Sequence, residues 1–227
     1  MSARIAVFAS GGGSNLQALV EHFNRPGEVT AGRVVLVVSD RPTAGALERA
    51  ARAGIPTRVV EVVGRPEEDV ARETLATLEA AGIEYVALAG YLRRIPPDVV
   101  RGYHGRMTNI HPALLPAFGG KGMYGIRVHR AVLAAGCKVS GATVHLVDEE
   151  YDTGPILAQW PVPVLPGDTP ESLAARVLRV EHLIYPAALE ALVLGVRPSG
   201  AAGPGAFCAS DTDAPAPEEI RRALGLD

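Results

Sequence analysis

The chain has 227 residues, 48% hydrophobic and 21% charged, with a formal net charge of −3. At roughly 150 residues per domain that is one or two globular domains with a sizeable core, and the weak negative charge argues against a broad nucleic-acid surface. The two cysteines, Cys137 and Cys208, have no CxxC spacing, which argues against a disulfide framework or a zinc site and fits a reducing, cytoplasmic compartment; no apolar run suits a signal peptide or a membrane span.

Residues 4–9 (RIAVFA) form a short apolar run, read as a buried strand that breaks at Ser10-Gly11-Gly12-Gly13. Residues 14–23 have helical periodicity, with Leu16, Leu19, Val20 and Phe23 on one face and Ser14 or Asn15 as the cap. A second buried strand covers 33–38, a helix 43–53 stops at Gly54, and a third strand covers 57–62. A helix over 67–81 ends at Gly82, and 85–89 is a fourth strand. Strands alternating with helices predict a parallel sheet wound by right-handed crossovers.

After Gly90 the rhythm changes. Residues 107–110 are a short strand running into His111-Pro112, followed by the Gly-rich loop 117–125 and a short helix over 128–135. Strands over 140–147 and 156–164 flank a polar turn at 148–152 and suit antiparallel pairing. A long helix covers 169–194, with Pro170 in its first turn. The fold class is α/β: Rossmann-like, a mostly parallel twisted sheet with helices on both faces and an antiparallel strand pair in the C-terminal half.

The passage strand–SGGGSN–helix has the geometry of an anion site, because glycines let backbone N–H groups approach a phosphate at a helix N-terminus. Gly11 and Gly13 match the first two glycines of the dinucleotide fingerprint, but Leu16 stands where the third belongs, and no Gly-Lys-Ser/Thr follows. A mononucleotide or sugar phosphate suits this loop; a plain tight turn accounts for it equally well.

Asn109 and His111 lie two apart in a strand and so face one side, with Ile110 toward the core; Pro112 keeps His111 extended. Polar groups at the carboxyl end of such a strand sit where open α/β sheets bind ligands. Four acids lie between Asp148 and Asp152, a run that is usually a solvated turn. Such a turn can also aim one carboxylate at a neighbouring imidazole and raise its pKa, although spacing does not select which acid. Asn, a protonatable His and a carboxylate, without a GxSxG or HExxH motif, suit acyl transfer to an amine: two substrates held in line, an oxyanion stabilised, a proton moved.

At these residues the chain resembles the phosphoribosylglycinamide formyltransferase family. The matching stretches are SGGGSNLQA (10–18), NIHPALLP (109–116), SGATVHLVD (140–148), YDTGP (151–155) and EHLIYP (181–186). The NIHP and DTGP-type motifs are shared by wider formyltransferases; the loop ending in Ser-Asn-Leu-Gln narrows the match. The resemblance implies transfer of the formyl group of 10-formyltetrahydrofolate to the amine of glycinamide ribonucleotide in purine synthesis. It implies that His111 is the general acid and oxyanion donor, with Asn109 beside it and Asp152 tuning it. It places the ribonucleotide on Gly12, Gly13, Ser14, Asn15, Pro112 and Glu181. It places the folate on Leu92, Arg93, Arg94, Ile95, Asn109, Val147, Asp148 and Asp152, with Arg65 as a weaker member. His145 and Thr143 are read as structural support. Arg94 and Leu178 depart from the family pattern, and Lys121 is read as solvated.

A single formyltransferase domain is expected over 1–197, with its nucleotide-phosphate half near 1–103 and its folate and catalytic half near 104–197; 198–227 reads as an Ala/Gly/Pro-rich, loosely ordered tail. The expected partners are the two small substrates, with no metal, nucleic acid or membrane and a homodimer left open. Two other classes compete. An initiator-tRNA formylating enzyme should carry a basic RNA-binding addition, and a formyl-donor hydrolase an N-terminal regulatory module; neither is expected here. A non-catalytic nucleotide-binding module would use the glycine loop but has no need of Asn109, His111 and Asp152 together.

Overall fold

The structure, a computed structural model, describes residues 2–195, so the tail expected over 198–227 lies outside the described residues. The chain divides into two compact units. The first runs to Asn109 and takes back Val147–Glu149; the second holds Ile110–Leu146 and the residues from Glu150 onward.

In the first unit the order is β1 (Ala3–Phe8), α1 (Ser14–Phe23), β2 (Gly32–Ser39), α2 (Gly45–Arg52), β3 (Thr57–Val59), α3 (Glu67–Ala80), β4 (Tyr85–Leu88), α4 (Pro97–Gly102) and the start of β5 (Met107–His111). Hydrogen-bonded neighbours run β3-β2-β1-β4-β5, and each of these pairs is parallel. The apolar runs explain this. β1 is central, and Ile5, Ala6, Val7 and Phe8 are wholly buried, as a strand covered on both faces must be. Phe8, Leu36, Val38, Leu78, Val86 and Met107 share one core cluster. The winding reverses at β1, which has β2 on one side and β4 on the other; the carboxyl ends of strands at such a switch point form a crevice. The loops after β1 and β4 meet there: Ser10 N–H donates to Gly90 O at 3.1 Å, and Leu92 N–H to Ser10 Oγ at 2.9 Å.

Two expectations change, and one element is added. β3 stops at Val59 rather than 62, because its partner β2 ends at Ser39; Val60 N–H donates to Ser39 O and the chain then has nothing left to pair with. α4 has no counterpart in the sequence reading, since six residues behind Pro96-Pro97 show no periodic stripe. Neither Ser14 nor Asn15 caps α1: Gly13 holds that position at φ 76°, with no side-chain cap.

The second unit contains the end of β5, α5 (Ile126–Ala134), β6 (Val139–Leu146), β7 (Ile156–Pro163) and α6 (Pro170–Val193). β6 and β7 pair antiparallel, as expected, with a register shift between Val144 and His145. Gly141 is required in β6, because a Cβ there would lie 2.3 Å from Trp160 O. A capping box between Thr169 and Ser172 starts α6. Arg176 closes the β7–α6 turn with a bidentate pair to Asp168 at 2.7 and 2.8 Å and a bond to Pro163 O at 3.0 Å. Its guanidinium holds the Asp168 carboxyl well below the usual carboxylate range. The Leu115–Pro116 peptide bond is cis.

Candidate active site

In the second unit the end of β5 delivers His111 into a buried array, 3% exposed. Its Nε2 lies 2.9 Å from Phe118 O, which puts a proton on that nitrogen; its Nδ1 faces Asp152 Oδ2 at 3.6 Å. Asp152 Oδ2 also accepts from Gly120 N at 2.8 Å, and Oδ1 faces His145 Nε2 at 3.5 Å. The carboxylate therefore lies between two imidazoles. His145 Nδ1 is 2.8 Å from Leu146 O.

The acid run thus resolves to Asp152, set in place by the turn and by its own left-handed backbone at φ 58°. Burial pushes its carboxyl up, but the His145 bond, the His111 charge and the Gly120 amide outweigh burial and hold it below the ordinary range. Asp152 is anionic at neutral pH. The expected raised histidine pKa is corrected. Burial lowers His111, and the pull of Asp152 and the Phe118 carbonyl only partly offsets it. The resting ring is the neutral Nε2–H form.

Two residues beyond the predicted set join this array. His145, read as support, touches Asp152 directly; the β6 register shift at Val144/His145 is the kind of bulge that re-aims a side chain, and no spacing rule announces it. His129 on α5 is buried, its Nδ1 has no hydrogen-bond partner among the described residues, and burial, then the His111 charge, pushes it down to about 4. Thr143 acts as support: Oγ1 donates to Ala113 O at 2.6 Å and accepts from Leu115 N and Gln159 Nε2, fixing the segment after His111-Pro112. Pro112 is half-buried and Glu181 is buried on α6. Asn109, half-buried, closes the first unit's share of β5, two residues before His111.

The other predicted residues lie in the first unit. Gly13 is buried against α2: a Cβ would stand 2.8 Å from Ala46 Cα, and its φ of 76° is one that glycine adopts without strain. Gly11 and Gly12 are exposed, Ser14 is half-buried and Asn15 is buried. In the segment after β4, Leu92 is 43% exposed and Ile95 is buried. Arg94 Nη2 donates to Glu149 O at 2.8 Å, and Val147 N–H to Met107 O at 2.9 Å, so the 92–95 and 147–148 stretches are brought together. Arg65 is turned to Glu61 O at 3.0 Å and Glu73 at 2.6 Å. Arg93 Nε donates to Asp40 Oδ2 at 3.0 Å. Asp40, absent from the prediction, has a side chain 1% exposed; burial raises its carboxyl, but Ser10, Arg93 and Arg41 together hold it low. Among the described residues no group of three or more His, Cys, Asp or Glu could hold a metal ion.

The chain is similar to known proteins. A model of the formyl transferase family matches residues 3–189. A phosphoribosylglycinamide formyltransferase of Arabidopsis thaliana, named as chloroplastic, is 50% identical over 184 residues, 80% of this chain and 62% of that protein. Its namesake in Vigna unguiculata is 45% identical over 190 residues, 83% of this chain and 60% of the other. The chain thus spans about three-fifths of the length of these two curated relatives. The crystal structure of a phosphoribosylglycinamide formyltransferase from Brucella melitensis superposes with a TM-score of 0.77 at 42% identity, over 89% of this chain and all of that one.

Proposed function

The chain belongs to the formyl transferase family, and on that premise we propose that it transfers the formyl group of 10-formyltetrahydrofolate to the amine of glycinamide ribonucleotide, in purine synthesis. The observation that carries this reading is the His111–Asp152 pair: a buried imidazole whose Nε2–H already holds a carbonyl oxygen at 2.9 Å, with an anionic carboxylate behind its other nitrogen. An N–H that can hold a carbonyl oxygen can hold it better as it gains charge.

In this proposal the ribonucleotide phosphate rests on Gly12, Gly13, Ser14 and Asn15, and Pro112 and Glu181 meet the rest of that substrate. Leu92, Ile95 and Val147 offer apolar lining and Arg93, Arg94 and Asp148 a polar edge, the mixture that a pteridine ring needs. Arg65 stands at the margin of that set, since its guanidinium is engaged by Glu73. Amine attack on the formyl carbon puts negative charge on the formyl oxygen. The formyl oxygen takes the place of Phe118 O on the His111 Nε2–H and also accepts from Asn109; the proton shed by the amine is taken up by the neutral His111 ring, Asp152 stabilises the imidazolium so formed, and the proton is then delivered to the departing folate nitrogen. No covalent enzyme intermediate is required, because the amine is the nucleophile. A cytoplasmic setting belongs to the same proposal; among the described residues no helix is long and apolar enough to cross a membrane.

The test is a formyl-transfer assay on the purified chain, following loss of donor with and without glycinamide ribonucleotide. Ribonucleotide-dependent loss with formation of the formylated product is expected. Donor loss that ignores the ribonucleotide replaces this reading with donor hydrolysis.

A further inference from the structure

We infer that Arg49, which lies outside every motif above, is a positioning residue that sets the direction of the amides in the phosphate loop; this rests on the reading of that loop as the ribonucleotide's phosphate site. In a planar trans peptide the C=O and the following N–H point in opposite directions. Helix α2 takes hold of two successive carbonyls of the loop. Ala46 N–H donates to Gly11 O at 3.0 Å, and Arg49 Nε donates to Gly12 O at 2.7 Å. The amides that share those peptides, on Gly12 and Gly13, therefore point away from α2. Two successive amides turned the same way make a concave pair of donors suited to an anion.

The loop does not enforce this orientation through its own packing. A Cβ placed on Gly11 or Gly12 meets nothing within 4 Å, and glycine peptides turn over readily. The grip comes from outside. The Arg49 stem packs on Gly13, its Cδ 3.3 Å from where a Cβ would stand, which directs the guanidinium back to the preceding carbonyl. Arg52, on the same helix, is taken by Glu48 at 3.2 Å, whereas no carboxylate pairs with Arg49 among the described residues. Arg49 therefore also brings an uncompensated positive charge to the loop that has to receive a phosphate.

Arg49→Met keeps the packed stem and removes both the donor and the charge; Arg49→Lys keeps a charge and a movable donor. For Arg49→Met we expect the ribonucleotide KM to rise about tenfold, the scale of one charge-assisted hydrogen bond. The donor KM, kcat and melting temperature should stay near wild type, and Arg49→Lys should recover most of the loss. An unchanged ribonucleotide KM in Arg49→Met overturns the inference. So does a rise in both KM values with a fall in melting temperature, which marks a general structural role. A second measurement is independent of the assigned reaction: titration with inorganic phosphate, followed through the Gly12 and Gly13 amide signals in 15N-resolved NMR spectra. Both signals should move in the wild type and respond only at much higher phosphate in Arg49→Met. Wild-type shifts in a protein that transfers nothing to the ribonucleotide would retain the inference and remove the proposed substrate; no wild-type shift removes the inference itself.

Discussion

The glycine loop of the first unit and the histidine array of the second are built on opposite plans. The loop is exposed at Gly11 and Gly12 and offers backbone amides, with Gly13 seated against Ala46. The array is buried and offers titratable side chains, with Asp152 between His111 and His145. In the proposed function the first region selects its ligand by the direction of its peptides. The other sets protonation states by setting burial against a neighbouring charge. Binding and chemistry should therefore respond to different substitutions.

The largest expected effect falls on the array. His111→Ala or Asp152→Asn should lower turnover by roughly 10²–10⁴, the scale of acid–base assistance, with the ribonucleotide KM little changed. Steady-state kinetics decide it. Near-normal turnover in both variants removes the catalytic assignment, and a raised ribonucleotide KM with intact turnover erases the contrast between the regions.

Next comes the loop. Gly13→Ala forces a side chain into a left-handed backbone and to within 2.8 Å of Ala46 Cα, so it should cost about 1–3 kcal/mol in urea unfolding. Gly12→Ala enters open space and should stay within about 0.5 kcal/mol. Equal losses at the two positions would show that the packing on α2 is not what constrains the loop.

A further effect concerns pH. The unfolded His129 ring takes up a proton near about 6.5, the folded one only near about 4. The unfolded chain therefore binds more protons between those values. The His129 contribution to stability is complete above the upper value, falls as pH drops through the window, and levels off below it. His129→Leu should flatten that part of the stability–pH curve measured by chemical denaturation. An unchanged slope means that the folded ring is not held neutral by burial.

Much of the fold was legible because its signals are local. The apolar runs of β1, β2 and β4, the face of α1 that buries Leu16, Leu19 and Phe23, and glycines after α2 and α3 all act over a few residues. β3 was read too long because strand length depends on a partner, and α4 went unread because six residues carry no period. In the candidate site, the motif residues His111 and Asp152 do come together, whereas His145, His129, Asp40 and Arg49 became visible only through their neighbours.

By itself the sequence determined the order of the strands and of every helix but α4, the glycine loop and the Asn109-Ile110-His111 register, since periodicity and backbone permissiveness are properties of adjacent residues. Only the tertiary structure decided which of four acids meets an imidazole, that burial outweighs that acid in setting the His111 proton, and that a helix 32 residues or more beyond the loop turns its amides. Those outcomes depend on solvent exclusion and on distances between residues remote in the chain, and no local pattern encodes either.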